Sequence, residues 1–139
     1  MPVSTQSFTI ETGGNTDVLD ITPQVTRALE RSDLQDGIAT VFISGSTGGI
    51  TTVEFEPGLR RDLPEIMDKL IPAGRPYHHD DTWHDGNGHA HLRSSLVGTS
   101  FTVPFVGGRL ILGTWQQIVF LDFDNRPRRR EILVQLVGE

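Results

Sequence analysis

The chain has no cysteine, a single lysine (Lys69) and no long apolar run. Each absence removes a class of function. Without cysteine there are no disulfides, no thiolate-bound zinc and no Cys nucleophile, so any metal ion would have to be held by His, Asp or Glu. No stretch approaches the roughly 18 apolar residues that mark a membrane span. Met1 to Ile10 lacks the basic stretch and apolar core of a leader, so a cytoplasmic protein that does not engage membranes is expected. Positive charge is also scarce, with 12 Lys+Arg against 18 Asp+Glu and a net charge of -6. Nucleic-acid binding rests on cations that displace counterions from phosphates, so nucleic acid is not an expected partner. A length of 139 residues, 36% of them hydrophobic, is enough for one domain with its own core, spanning residues 1–139.

The pattern of what is present is mostly β. Ser7 to Glu11 is a β-rich run that stops at Gly13-Gly14-Asn15, where positive φ is tolerated. Thr22 and Pro23 read as the N-cap and first residue of a helix running to about Ser32, with Val25, Ala28 and Leu29 on one face. Gly37 to Ser44 is too apolar for a strand wet on one side and reads as a central strand covered on both faces. Ile50 to Phe55 alternates as a strand. From Pro57 the period becomes helical, with Leu59, Leu63, Ile66, Met67 and Leu70 inward and a break or bend expected at Pro64. Pro72 to Gly88 has no periodicity and reads as a long polar loop; Ala90 to Val97 reads as a short helix.

Four strands are then expected, over Ser100 to Val106, Arg109 to Leu112, Thr114 to Asp124 and Arg129 to Val137, joined by hairpin-length turns. The total is six or seven strands and two or three helices. This predicts an α+β, β-dominated single domain: an antiparallel sandwich or closed sheet with the helices packed on it.

Chemistry-bearing residues concentrate in one window. All five histidines fall between His78 and His91, interspersed with Asp80, Asp81 and Asp85. Neutral imidazole is a common metal ligand, and a neighbouring carboxylate can orient it or raise its basicity, so a metal site or an acid–base site is expected here. The spacing matches no standard zinc motif. His89 and His91 share a face of an extended segment but point apart on a helix. Gly45 to Gly49 follows an apolar strand and offers small residues and hydroxyls to an anion, but it lacks the Gly-Lys-Ser ending and following helix of a P-loop. Trp115 is expected as a buried indole. Arg126, Arg128, Arg129 and Arg130 form a basic cluster at a hairpin, suited to ion pairs between subunits or to an anion.

One set of residues resembles a known family. Glu54, Asp62, Tyr77-x-His79-Asp80, His91 with Leu92, Ser95 and Gly98, then Pro104, Gly108, Leu110, the Leu112-Gly-Thr-Trp-Gln-x-Ile118 run, Arg130 and Gly138 are similar to the pattern of the YjbQ-like proteins, from about Ile38 to the end. The resemblance implies a compact β-sandwich assembled as a homotrimer, with sites at subunit boundaries, and a secondary thiamine-phosphate synthase activity. That activity joins a pyrimidine diphosphate to a thiazole phosphate with loss of pyrophosphate. It implies His79 and His91 as metal ligands or acid–base groups, Asp80 and Glu54 as orienting or ligand carboxylates, and Ser46, Thr47 and Arg130 near phosphate. A divalent zinc or magnesium ion is the expected cofactor, with no organic cofactor; the expected partners are further copies of the chain and a small phosphorylated molecule. Many relatives carry His-Thr where this chain has Gly45-Ser46, so the resemblance implies one of two things: His84 and His89 stand in for the missing histidine as metal ligands, or the activity has changed. The alternatives are a metal-dependent hydrolase of a small phosphorylated substrate and a non-catalytic trimeric ligand-binding protein.

Overall fold

The computed structural model describes residues 1–139 and contains eight strands and four helices. In chain order these are β1 (Val3–Thr12), β2 (Asp17–Asp20), α1 (Thr22–Ser32), β3 (Gly37–Ile43), β4 (Gly48–Val53), α2 (Pro57–Leu70), α3 (His78–Trp83), α4 (Gly88–Val97), β5 (Ser100–Val106), β6 (Arg109–Leu110), β7 (Gln117–Asp122) and β8 (Arg128–Gly138). Five strands form one sheet in the order β1-β8-β3-β5-β6, and three form a second in the order β2-β7-β4. Every pairing is antiparallel. The β-dominated antiparallel sandwich read from the sequence is the fold observed.

Period-two alternation places one set of side chains from each strand of the large sheet between the sheets. Val41, Val103, Phe105, Ile132, Val134 and Leu136 meet Ile50, Ile118 and Phe120 of the small sheet, and Val25, Ala28 and Leu29 of α1 close the same cluster. A second cluster lies on the other face of the small sheet, where Val18, Val119, Leu121 and Phe123 pack on Met67 of α2 and Ala90 of α4. The small sheet is thus covered on both faces. This explains the unbroken apolar run of β7, since a strand buried on both sides has no polar face to alternate.

The structure corrects several expectations from sequence. The strand covered on both faces is β7. In β3 one face is uncovered within a single chain, leaving Ile38 48% and Phe42 39% exposed, because α2 and α4 pack on the small sheet. Helix α2 runs through Pro64 without a break; the carbonyl that loses its helical partner to the proline belongs to Arg60, an exposed residue. Only Met67 of its expected inward residues is fully buried, and Ile66 and Leu70 face solvent. The polar loop contains the short helix α3. Trp115 lies in a turn ahead of β7 and is exposed, not buried. The N-cap of α1 is Ile21, while the Thr22 hydroxyl accepts the Ile118 N–H at 2.8 Å and ties the helix start to β7.

Candidate active site

Strand β7 is apolar until it ends in Asp122, with Asp124 two residues on, and both carboxylates are almost completely buried. A buried carboxylate survives only with partners. Asp122 takes the Arg130 guanidinium in a two-pronged contact, Nε to Oδ2 at 2.8 Å and Nη2 to Oδ1 at 2.9 Å, and accepts the Thr12 hydroxyl at 2.6 Å. Arg130 Nη2 also donates to the Thr47 hydroxyl at 2.8 Å. The hydrogen bonds to Asp122 raise the Arg130 pKa despite its burial.

Asp124 accepts the Asn125 N–H at 2.9 Å, the Asn87 side-chain amide at 3.3 Å and the Thr47 hydroxyl at 3.4 Å, and pairs with the Arg128 guanidinium. Burial pushes its carboxyl up, but those hydrogen bonds and the charges of Arg128 and Arg130 outweigh burial and hold it below the usual carboxylate range. Arg128 and Arg130 of β8, with Asp122 at the end of β7 and Asp124 just beyond it, therefore form a polar floor.

Above this floor lies a cleft of about 550 Å³ with no hydrophobic side chain in its lining. Ser44, Gly45, Ser46 and Thr47 form one wall, Asn125, Arg126 and Arg128 another, and Asp85, Asn87 and His91 the third. Gly14 lets the β1–β2 turn pass under this end: its φ is +72°, and a Cβ there would lie 2.4 Å from the Arg126 carbonyl oxygen. A second chamber of about 310 Å³, lined by Arg75, Tyr77, His78, His79, Gly88, His91 and Leu92, adjoins it. His91 lines both.

Helices α3 and α4 set the histidines. Gly88 begins α4 against Tyr77, where a Cβ would approach the Tyr77 Cβ to 2.6 Å, and its N–H donates to Asp80 Oδ1 at 3.0 Å. This brings the His79 ring of α3 to 4.2 Å, centroid to centroid, from the His91 ring of α4, tilted by 48°. His79 Nε2 lies 3.1 Å from Asn87 Oδ1. Burial, then the neighbouring His79, lowers the His91 pKa, which favours the neutral ring.

Of the residues expected from sequence, His79, His91, Ser46, Thr47 and Arg130 come together around the two chambers. Thr47 and Arg130 belong to the floor, with their polar groups engaged by Asp122 and Asp124. Asp80 serves the α3–α4 junction. Glu54 is exposed between β4 and α2, outside both chambers, and Glu56 caps α2 by accepting the Gly58 and Leu59 N–H groups. His84 is exposed at the left-handed end of α3. His89 is buried on the far side of α4 beside Arg93, in a separate cavity with Thr16 and Asp68. No group of three His, Asp or Glu side chains within the chain is placed to hold a metal ion, so the four histidines do not form a metal centre within a single chain.

The sequence reading missed Asp122, Asp124 and Asn87 as parts of the site, while Arg128 belongs to the basic cluster it expected to meet an anion or an ion-pair partner. Two aspartates two residues apart at the end of an apolar strand were the available signal, because a carboxylate on a buried face demands a cation, and β8 supplies Arg130 and Arg128.

The class that this fold and site define is a two-sheet antiparallel β-sandwich whose sheets converge on a buried Arg–Asp floor, with helices on the smaller sheet walling a polar cleft. The model of the UPF0047 protein, YjbQ-like family matches residues 6–139. The chain belongs to this family, and the match takes in the N-terminal strand that the sequence resemblance left out. A UPF0047 protein of Archaeoglobus fulgidus is 42% identical over 128 residues, covering 92% of this chain and 97% of that protein. The UPF0047 protein YugU of Bacillus subtilis is 35% identical, covering 96% and 98%. A solved YbjQ-like protein of unknown function from Sulfolobus solfataricus superposes with a TM-score of 0.94 at 31% identity over 99% of both chains. A hypothetical protein from Aeropyrum pernix superposes with a TM-score of 0.92 at 37% identity over 98% of this chain and 99% of that one.

Proposed function

We propose that the two chambers form the active site of a thiamine-phosphate synthase-type enzyme acting on small phosphorylated molecules. The observation that carries the reading is the pairing of a polar chamber with a less polar one at a shared histidine, His91. The polar chamber suits a diphosphate: Arg126 and Arg128 supply charge, and Ser46 with the surrounding backbone supplies small donors. The second chamber, with Tyr77 and Leu92 among its lining residues, suits a flat ring. In the reaction, the bond from the pyrimidine methylene carbon to the diphosphate oxygen breaks, the thiazole nitrogen bonds to that carbon, and pyrophosphate leaves with the electron pair. A neutral His91 donates an N–H to the leaving group without adding charge, and the arginines balance the charge that develops.

The runner-up is a hydrolase of a small phosphorylated substrate, favoured by the same neutral His91, which can take a proton from water. A zinc or magnesium ion in either reaction would draw donors from substrate phosphate oxygens, water or another copy of the chain, since one chain gathers no three ligands. A homotrimer is part of this proposal, supported by the apolar side chains of Ile38, Phe42 and Val106 that one chain leaves in water. So is a cytoplasmic location, where phosphorylated metabolites are retained; no helix is long and apolar enough to cross a membrane. The test is release of pyrophosphate on mixing the protein with both precursors. The synthase reading expects release only when both are present. Release of phosphate from either precursor alone favours the hydrolase, and no release from any combination contradicts both.

A further inference from the structure

The N-cap position of a helix is where Asn normally turns its side-chain oxygen onto the helix's own N–H groups. Asn87 is the N-cap of α4 and makes no such bond. Its amide is committed sideways instead, with Nδ2 facing Asp124 Oδ1 at 3.3 Å and Oδ1 facing His79 Nε2 at 3.1 Å. Asn87 is buried, so this diversion is a fixed arrangement.

The chemistry of the chain Asp124–Asn87–His79 decides where a proton lies. Asp124 is ionised, since it accepts from a backbone N–H and the Thr47 hydroxyl and pairs with the Arg128 cation. An ionised carboxylate only accepts hydrogen bonds. The amide edge that meets it must therefore be the NH2 group, which leaves the carbonyl oxygen of Asn87 toward His79. A carbonyl oxygen also only accepts. His79 Nε2 must then carry a hydrogen, and in the neutral ring the lone pair falls on Nδ1. The assignment follows from the acceptor-only carboxylate, so it does not depend on which way the amide is drawn.

We infer that Asn87 and Asp124 are positioning residues that fix His79 in the Nε2–H tautomer and leave Nδ1 as its one basic nitrogen in the site. This deepens the proposed active site and rests on it only for the use made of that nitrogen. Nδ1 is the nitrogen left free to accept a hydrogen bond from a ligand in the second chamber, which His79 lines, while Nε2 stays committed to Asn87. It follows that His79 cannot ligate a metal through Nε2 while the Asn87 bond stands.

The experiment is a long-range ¹H–¹⁵N correlation spectrum of the ligand-free protein at pH 7.5 with ¹⁵N-labelled histidine. The expected result is the Nε2–H tautomer for His79, and loss of that fixed tautomer in Asn87→Leu, which has similar size and no acceptor. Asp124→Asn, which removes the acceptor-only constraint, is expected to loosen it as well. A wild-type His79 in the Nδ1–H form overturns the inference, as does a folded Asn87→Leu protein that keeps the wild-type tautomer. Because no substrate is involved, failure here leaves the synthase reading intact, and failure of the pyrophosphate assay leaves the tautomer assignment intact.

Discussion

His89 and His91 sit two residues apart, yet α4 turns them into opposite environments. His91 faces the cleft, shares its ring contact with His79, and lines both chambers. His89 lies behind the helix beside Arg93, whose buried guanidinium donates Nη1 to the Thr16 hydroxyl at 2.9 Å and both Nε and Nη2 to the Ile71 carbonyl at 3.0 and 2.7 Å. Those three bonds clamp the end of α2 and the β1–β2 turn to α4. Thr16, a β-branched residue at φ 64°, is held in a conformation such residues rarely adopt. One helix thus presents a cleft-facing side and an anchoring side, so sequence proximity of histidines does not imply a shared environment.

The sharpest way to break this division is Arg93→Ala. Removing three hydrogen bonds from a buried cation to the α2 end and Thr16 is expected to destabilise the fold by about 3 kcal/mol, seen as a fall in Tm of roughly 10 °C. A change within about 0.5 kcal/mol would mean that the rear face of α4 is not an anchor. Next, His89→Ala is expected to lower stability by about 1–2 kcal/mol in chemical denaturation and to leave the condensation rate near wild type. His91→Ala should do the opposite: stability within about 0.5 kcal/mol of wild type, and a rate of pyrophosphate release reduced by about 10²-fold or more. If the two alanine variants behave alike in both assays, the comparison fails.

A smaller effect concerns pH. His89 and His91 are both held below the ordinary histidine range, each first by burial, then by Arg93 for His89 and by His79 for His91. Below about pH 6.5 the unfolded chain takes up protons that the folded chain refuses, so stability falls as pH drops from there through the folded-state values. Asp124, whose folded pKa is also depressed, adds a loss of the same sign at more acidic pH, through its own folded value. Denaturant midpoints measured from pH 7.5 to 5 are expected to decline in the wild type and to decline less steeply in His89→Gln. An unchanged slope in that variant would show that the rear histidine is not held neutral by the fold.

Much of this molecule was legible in its sequence, and the exceptions have physical causes. The strands announced themselves through β-branched alternation and glycine-rich turns, and the family resemblance rested on His79, His91 and the run ending at Ile118. The strand covered on both faces was misplaced because β3 and β7 are similarly apolar, and only the packing of α2 and α4 distinguishes them. Helix α3 was hidden because its six residues, five of them polar and the last Trp83, carry no apolar periodicity. The buried floor escaped because Asp122, Asp124 and Arg130 look like turn charges until strand pairing brings Thr12 and Thr47 alongside. Asn87 escaped because its role depends on two partners distant in sequence from one another.

Whether the polar cleft receives the phosphates of a small molecule is read by titrating ¹⁵N-labelled protein with inorganic pyrophosphate. The predicted result is saturable amide shifts confined to residues 44–47, 124–128 and the His91 segment, with affinity reduced at least tenfold in the Arg126→Ala, Arg128→Ala double variant. Absence of saturable shifts there, or equal binding by the double variant, would contradict phosphate binding in the cleft.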